Sequence, residues 1–322
     1  FAMSIASIVS EKALAQEPLH LTDCLPLLTL STEELTEFSH ELTLKFAEQH
    51  FNCCAIVNAK SGRCSEDCHW CAQSRHFTTG AATFPLLNPE AILKSALAAQ
   101  DNGVTRFGIV TSGRKLSRRE VREAAQSVRL VREKTDLEVC LSMGLLTKDE
   151  FTLLKDAGAA RCHCNLEASE SFFPKVCTSH TTQDKIRCIQ AAREAGLDVC
   201  SGGIIGMGET EENRLDLAIT LANLHVASIP INILSPIPGT PLESTPLISD
   251  EAIIRTVALF RITNPRAYLR FAGGRARLSE STLKACLQAG INSAIMGDML
   301  TTSGTAVAMD RRMAQEVGYS ID

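Results

Sequence analysis

The sequence has no excess of positive charge, no low-complexity tract and no apolar run long enough to cross a bilayer. Its 32 Lys and Arg against 37 Asp and Glu leave a formal net charge of -5, with the two signs mixed along the chain. A nucleic-acid-binding surface needs a clustered basic face, so no nucleic-acid partner is expected. Spanning a membrane takes about 20 apolar residues in succession, and no membrane association is expected either. The apolar patch from Ile5 to Val9 is too short, and lacks the basic flank, for a secretory signal. Linkers rich in Pro and Ser and blocks of like charge are also missing. That favours one large domain, although 322 residues could fill two. Cysteine, in contrast, is abundant. Thirteen cysteines without a secretory signal point to a reducing cytoplasm, where they act as metal ligands or core residues rather than as disulfides.

Short apolar, β-branched runs alternate with helical patterns, as in βα units on a parallel sheet. Eight such runs occur, at about 51–58, 104–111, 137–142, 160–167, 198–205, 228–234, 267–273 and 291–297. The expected fold is α/β, a (βα)8 barrel of the TIM type. Residues 31–305 form the barrel, 1–30 an N-terminal extension and 306–322 a C-terminal extension of the same domain. Ser31 with Glu34, Ser117 with Glu120 and Thr147 with Glu150 read as capping boxes at helix starts. Gly103, Gly158, Gly196 and Gly290 stand where helices should end. In such a barrel the active site lies at the C-terminal ends of the strands.

The segment after the first strand, Cys64-Ser65-Glu66-Asp67-Cys68-His69-Trp70-Cys71, spaces three cysteines as C-x3-C-x2-C. Cubane iron–sulfur clusters normally take four thiolates, so three in one compact loop leave an iron open to a ligand that is not protein. A zinc site completed by His69 is the bland alternative. Four ligands so close together would strain the loop around one tetrahedral ion. With the flanking Asn58-Ala59-Lys60-Ser61-Gly62 and Ala72-Gln73-Ser74, the segment resembles the biotin synthase family of radical S-adenosylmethionine enzymes. The resemblance runs from about residue 45 to about residue 305. It implies that Cys64, Cys68 and Cys71 hold a 4Fe-4S cluster whose open iron is chelated by S-adenosylmethionine, and that one electron from the cluster releases a 5'-deoxyadenosyl radical.

Cys54, Cys140 and Cys200 fall in the first, third and fifth predicted strands, and Arg270 in the seventh. Unpaired cysteine is often only a small buried apolar residue. Arginine is harder to dismiss, since burying an always-ionised guanidinium requires an anionic partner. The resemblance supplies one: an auxiliary iron–sulfur cluster deep in the barrel, ligated by cysteines and an arginine, carried here by Cys140, Cys200 and Arg270. The chain departs from the family pattern in having Gly108 where a cluster cysteine is usual and Cys54 where serine is usual. Cys54 is expected to replace the missing ligand from the neighbouring strand, a relocation that changes the cluster's geometry and opens a four-iron form beside the familiar 2Fe-2S form.

The resemblance also implies cofactor contacts from Trp70 and from Gly206 and Gly208 of the glycine-rich turn. Asn165 and Glu167 would bond the ribose hydroxyls, and Lys185 the methionyl carboxylate. The family more often has Asp and Arg at the positions of Glu167 and Lys185. Asn232 would sit between nucleotide and substrate, although an amide tying strand ends together explains it equally well. His163 and Asn165 join it as substrate contacts. Strand alternation turns Cys162 and Cys164 toward the helical layer as packing residues. Cys24, Cys53, Cys188 and Cys286 read as structural, and Cys177 has no assigned role.

The implied reaction is sulfur insertion into dethiobiotin at C6 and C9, with a sulfide of the auxiliary cluster as donor. A flavodoxin- or ferredoxin-type electron donor, iron–sulfur assembly proteins and a homodimer come with the resemblance. Another enzyme of the superfamily, transferring methyl groups or rearranging carbon skeletons, would share the Cys64 loop but not need the buried cysteine and arginine set. A non-catalytic iron–sulfur redox sensor would need exposed ligands and an effector module, neither of which is visible.

Overall fold

Among the described residues, nine parallel strands carry the apolar runs seen in the sequence. They are β1 (Asn52–Lys60), β2 (Arg106–Thr111), β3 (Glu138–Ser142), β4 (Ala159–His163), β5 (Asp198–Cys200), β6 (Gly203–Ile205), β7 (Ser228–Ile233), β8 (Tyr268–Phe271) and β9 (Ser293–Ile295). This is a computed structural model, and it describes residues 2–297 and 307–321. The order β5-β4-β3-β2-β1-β9-β8-β7-β6 closes into a ring because β5 also pairs with β7. Since β5 and β6 are two halves of one stave, the ring is an eight-staved barrel with helices between staves, the TIM-type (βα)8 fold.

Two staves differ from their predicted extent. The run 198–205 is not continuous, because Ser201 and Gly202 leave the ladder between β5 and β6. There the Gly202 N–H donates to Asn165 Oδ1 at 2.9 Å, and the Gly202 carbonyl accepts from the Glu167 N–H at 3.0 Å. β7 presses so close that a Cβ on Gly202 would stand 1.9 Å from the Pro230 carbonyl oxygen. β4 likewise ends at His163 rather than at 167. Glu167 adopts a left-handed φ of 70° and makes only an isolated bridge to Gly203. Periodicity cannot reveal such breaks, because they depend on what lies opposite.

All three predicted capping boxes form. Two more, Thr181 with Asp184 and Thr210 with Asn213, use a shorter partner at the third position. Gly103, Gly158, Gly196 and Gly290 have positive φ at helix ends. Both terminal segments pack on the N-terminal end of the barrel. Asn223 exchanges two hydrogen bonds of 2.9 Å with the Leu19 backbone, and the Phe51 N–H donates to the Ser320 carbonyl at 2.9 Å. The boundary expected at 305/306 lies outside the described residues. Among those described, no helix is long and apolar enough to cross a membrane.

Candidate active site

A cavity of about 340 Å³ opens at the C-terminal ends of the strands and runs down the barrel axis. Trp70 and Cys71 line its upper part; Cys54, Cys140, Cys200 and Arg270 line it deeper down. His163, Asn165, Glu167 and Asn232 stand along its wall. Cys64, Cys68, Lys185, Gly206 and Gly208 are predicted site residues that do not border the cavity.

The cysteine loop is pinned by its own backbone. The Cys64 N–H donates to the Gln73 carbonyl at 2.9 Å, the Arg75 N–H to the Cys64 carbonyl at 2.9 Å, and the Cys71 N–H to the Cys68 carbonyl at 3.0 Å. Gln73 Oε1 accepts from Ser61 Oγ and the Gly62 N–H, tying the loop to the end of β1. The segment after β4 holds the other side. Although dehydration raises its pKa, hydrogen bonds from Thr178 and Ser179 keep the Asp67 carboxyl well below the usual carboxylate range. The three loop sulfurs are not gathered around a point that one ion could occupy. Among the described residues, only Cys68, Cys177 and His180 gather three ligand atoms within 4.8 Å of one another. The zinc site with His69 is therefore not formed.

Deeper in the barrel, strand register brings residues far apart in sequence to one level. Gly108 stands beside Cys140, Cys140 beside Arg161, and His163 beside Cys200. Arg270 donates to Asn52 Oδ1 at 2.6 Å, to the Ala294 carbonyl at 3.1 Å and to Cys54 Sγ at 3.2 Å. It is 2% exposed, and its hydrogen-bond partners on Ser228, Asn52, Cys54 and Ala294 include no carboxylate. Burial raises the Cys54 thiol, with Arg270 opposing, and pushes Cys140 up to about 11. A buried guanidinium with neutral partners beside dehydrated thiols is a donor set short of negative charge, and an anionic iron–sulfur cluster would supply it.

Two cations here were not singled out in the sequence. Arg106 and Arg161 also line the cavity and pair with Glu138 and Asp198, yet Arg106 Nη1 and Arg161 Nε are buried without a hydrogen-bond partner. Their inward-facing strand positions were a legible signal. Cys177 had no assigned role and His180 was not singled out, although Cys177-Thr178-Ser179-His180 has the C-x2-H spacing of a ligand pair.

Asn165 and Asn232 have structural partners. Asn165 holds Gly202, while Asn232 donates to the Gly203 carbonyl at 3.2 Å and accepts from the Gly273 N–H at 2.9 Å. Burial raises the Glu167 carboxyl, which the Lys185 charge opposes, and its Oε2 has no partner. Lys185 Nζ donates to the Asn165 carbonyl at 2.8 Å. Gly206 and Gly208 have φ of 92° and 100°, and the Gly206 and Met207 N–H groups donate to Glu209. Burial lowers His163 to about 4, so the imidazole is neutral at pH 7, with Nδ1 3.5 Å from Cys200 Sγ. Cys162 and Cys164 are buried toward the helical layer, where each interacts with Cys188 of the helix Thr182–Glu194.

Comparison with known proteins agrees with this arrangement. Residues 59–221 match the Radical SAM superfamily, and residues 230–320 match the Biotin and Thiamin Synthesis associated domain. Biotin synthase of Desulfotalea psychrophila is 51% identical over 268 residues, 83% of this chain and 80% of that protein. Biotin synthase of Porphyromonas gingivalis is 48% identical over 289 residues, 90% of this chain and 88% of its own length. The solved structure of methylornithine synthase superposes with a TM-score of 0.81 at 15% identity, covering 98% of this chain and 97% of that one, which supports the fold alone. The three-cysteine loop at the mouth of a closed parallel barrel, together with relatives this similar over most of their length, places the chain in the biotin synthase family of radical S-adenosylmethionine enzymes.

Proposed function

We propose that this enzyme inserts sulfur between C6 and C9 of dethiobiotin to close the thiophane ring of biotin. The bound groups supply a 5'-deoxyadenosyl radical from S-adenosylmethionine at a 4Fe-4S cluster, and the sulfur from an auxiliary iron–sulfur cluster. The chain's own part is to hold, orient and exclude water. Cys64, Cys68 and Cys71 would carry the first cluster. Cys54, Cys140, Cys200 and Arg270 would carry the second. Trp70 and the Gly206 to Gly208 turn would border the adenosyl group, with Asn165 and Glu167 on its ribose. Lys185 would answer the methionyl carboxylate by turning from the Asn165 carbonyl. His163, Asn165 and Asn232 line the wall between the two cysteine sets, where the substrate must lie.

The observation that carries this reading is that one cavity connects Cys71 to Cys54, Cys140 and Cys200. A radical made at its mouth and a sulfur donor at its depth can flank one substrate held out of water. The reading includes a barrel of residues 31–305, a flavodoxin- or ferredoxin-type electron donor, iron–sulfur assembly proteins, a homodimer and a cytoplasmic setting.

Anaerobic iron and sulfide quantification with Mössbauer spectra tests it, comparing wild type with a Cys64/Cys68/Cys71→Ala variant. A second cluster persisting in the variant, and biotin formation by wild type alone, is the expected result. Loss of all iron in the variant would overturn the auxiliary site and with it direct sulfur insertion.

A further inference from the structure

Beside the cysteine loop, Cys177 and His180, which the proposed reaction does not use, bring two more possible metal ligands up to Cys68. Cys177 Sγ is 3.7 Å from Cys68 Sγ, and the His180 ring nitrogens lie 3.4 Å and 4.0 Å from Cys177 Sγ. Two thiolates on one tetrahedral ion with bonds of about 2.3 Å stand about 3.8 Å apart, and a thiolate and an imidazole nitrogen about 3.6 Å. The sulfur–sulfur spacing matches, and Nε2, the ring nitrogen turned away from Glu66, stands about 0.4 Å beyond the ideal, a gap that a small ring movement closes. His180 Nδ1 is 2.7 Å from Glu66 Oε2, and that carboxylate is itself fixed by Ser179 Oγ at 2.8 Å and Arg114 Nη1 at 3.2 Å. A carboxylate on one imidazole nitrogen is the usual support for a histidine that ligates metal through the other. The segment cannot drift from the loop, because the His69 N–H donates to the Val176 carbonyl at 2.9 Å and the Asp67 N–H to Ser179 Oγ at 3.1 Å.

We propose that, before the cubane is built, Cys68, Cys177 and His180 bind one ferrous ion in a mononuclear site with water as fourth ligand and Glu66 behind the imidazole. Binding releases the two thiol protons. Because Cys68 belongs to both sites, the ion must leave or be incorporated when the cluster forms, so the site holds iron next to the loop that will need it. This goes beyond the sulfur-insertion reading and does not depend on it.

Cobalt(II) serves as probe, on the full-length, cluster-free Cys64→Ser/Cys71→Ser chain, which keeps Cys68 but cannot hold a cubane. The expected result is thiolate-to-cobalt charge-transfer absorption with a tetrahedral ligand field. Adding Cys177→Ser or His180→Ala should remove one tight equivalent, while Glu66→Gln weakens binding about 10- to 100-fold. The barrel cysteines contribute equally to all these chains and cancel in the difference. Unchanged stoichiometry and affinity without Cys177 and His180 overturns the proposal. Zinc-edge X-ray absorption on the parent chain at one equivalent guards against a variant that misfolds. Two sulfurs and an imidazole nitrogen are expected there, and an all-sulfur shell overturns the assignment.

Discussion

At Gly108 the neighbouring strand leaves little room for a side chain. A Cβ there would stand 3.0 Å from Cγ2 of Ile56, its β1 neighbour, so a cysteine at this position meets a β-branched wall. Cys54, one inward position lower on β1, is in reach of Arg270 instead. Cys54→Ser should strip iron from the auxiliary site and leave the Cys64 loop cluster intact in Mössbauer spectra. Adding Gly108→Cys should not restore the lost iron unless Ile56 is cut back to Ala. His163 gives a pH dependence whose sign follows from its burial. Its folded pKa of about 4 lies below the unfolded value of about 6.5, so the unfolded chain binds more protons in between. Stability is therefore full above pH 6.5 and is lost as pH falls toward 4. In cluster-free protein, His163→Asn should flatten the fall in Tm across that window; an unchanged slope would mean other groups carry it.

Between β5 and β6 the chain leaves the ladder so that Asn165, Gly202 and Pro230 can meet. The break is an element-level device: it fixes Asn165 beside Gly202, just ahead of the glycine-rich run. Gly202→Ala would place a methyl against the Pro230 carbonyl at 1.9 Å. It should cost about 3 kcal/mol, seen as a lower urea midpoint. The helix starts are more forgiving. Thr147 caps the helix Lys148–Asp156 by accepting from the Glu150 N–H, and Glu150 reaches back to the Thr147 N–H at 2.8 Å. Thr147→Ala should cost about 1 kcal/mol by the same measurement, with metal content unchanged.

For the whole molecule the decisive event is closure. β1 pairs with β9 across nearly the full sequence, and β5 with β7, so neither half of the barrel has a complete sheet. Residues 1–226 alone would leave β1 and β5 as bare edges on an apolar parallel sheet, which invites aggregation. That fragment should show no cooperative unfolding transition in calorimetry, although the Radical SAM match ends within it at residue 221. Closure also makes the cavity: guanidiniums and thiols from six strands, β1, β2, β3, β4, β5 and β8, face one another only once the ring is complete.

The sequence by itself determined the alternation of strand and helix, the capping boxes at Ser31, Ser117 and Thr147, the Cys64 loop and the inward cysteines. These depend on neighbours a few residues away or on period-two alternation, so a linear reading reaches them. Tertiary structure alone decided where the fifth stave breaks and that β4 stops at His163, because a strand's end depends on what the next stave offers. It likewise decided that Arg106 and Arg161 share a level with Cys54 and Cys140, which is a matter of register. The approach of Cys177 and His180 to Cys68 lay beyond the sequence for the same reason: the contact spans more than a hundred residues, and it exists only because β4 and β1 end on the same face of a closed barrel.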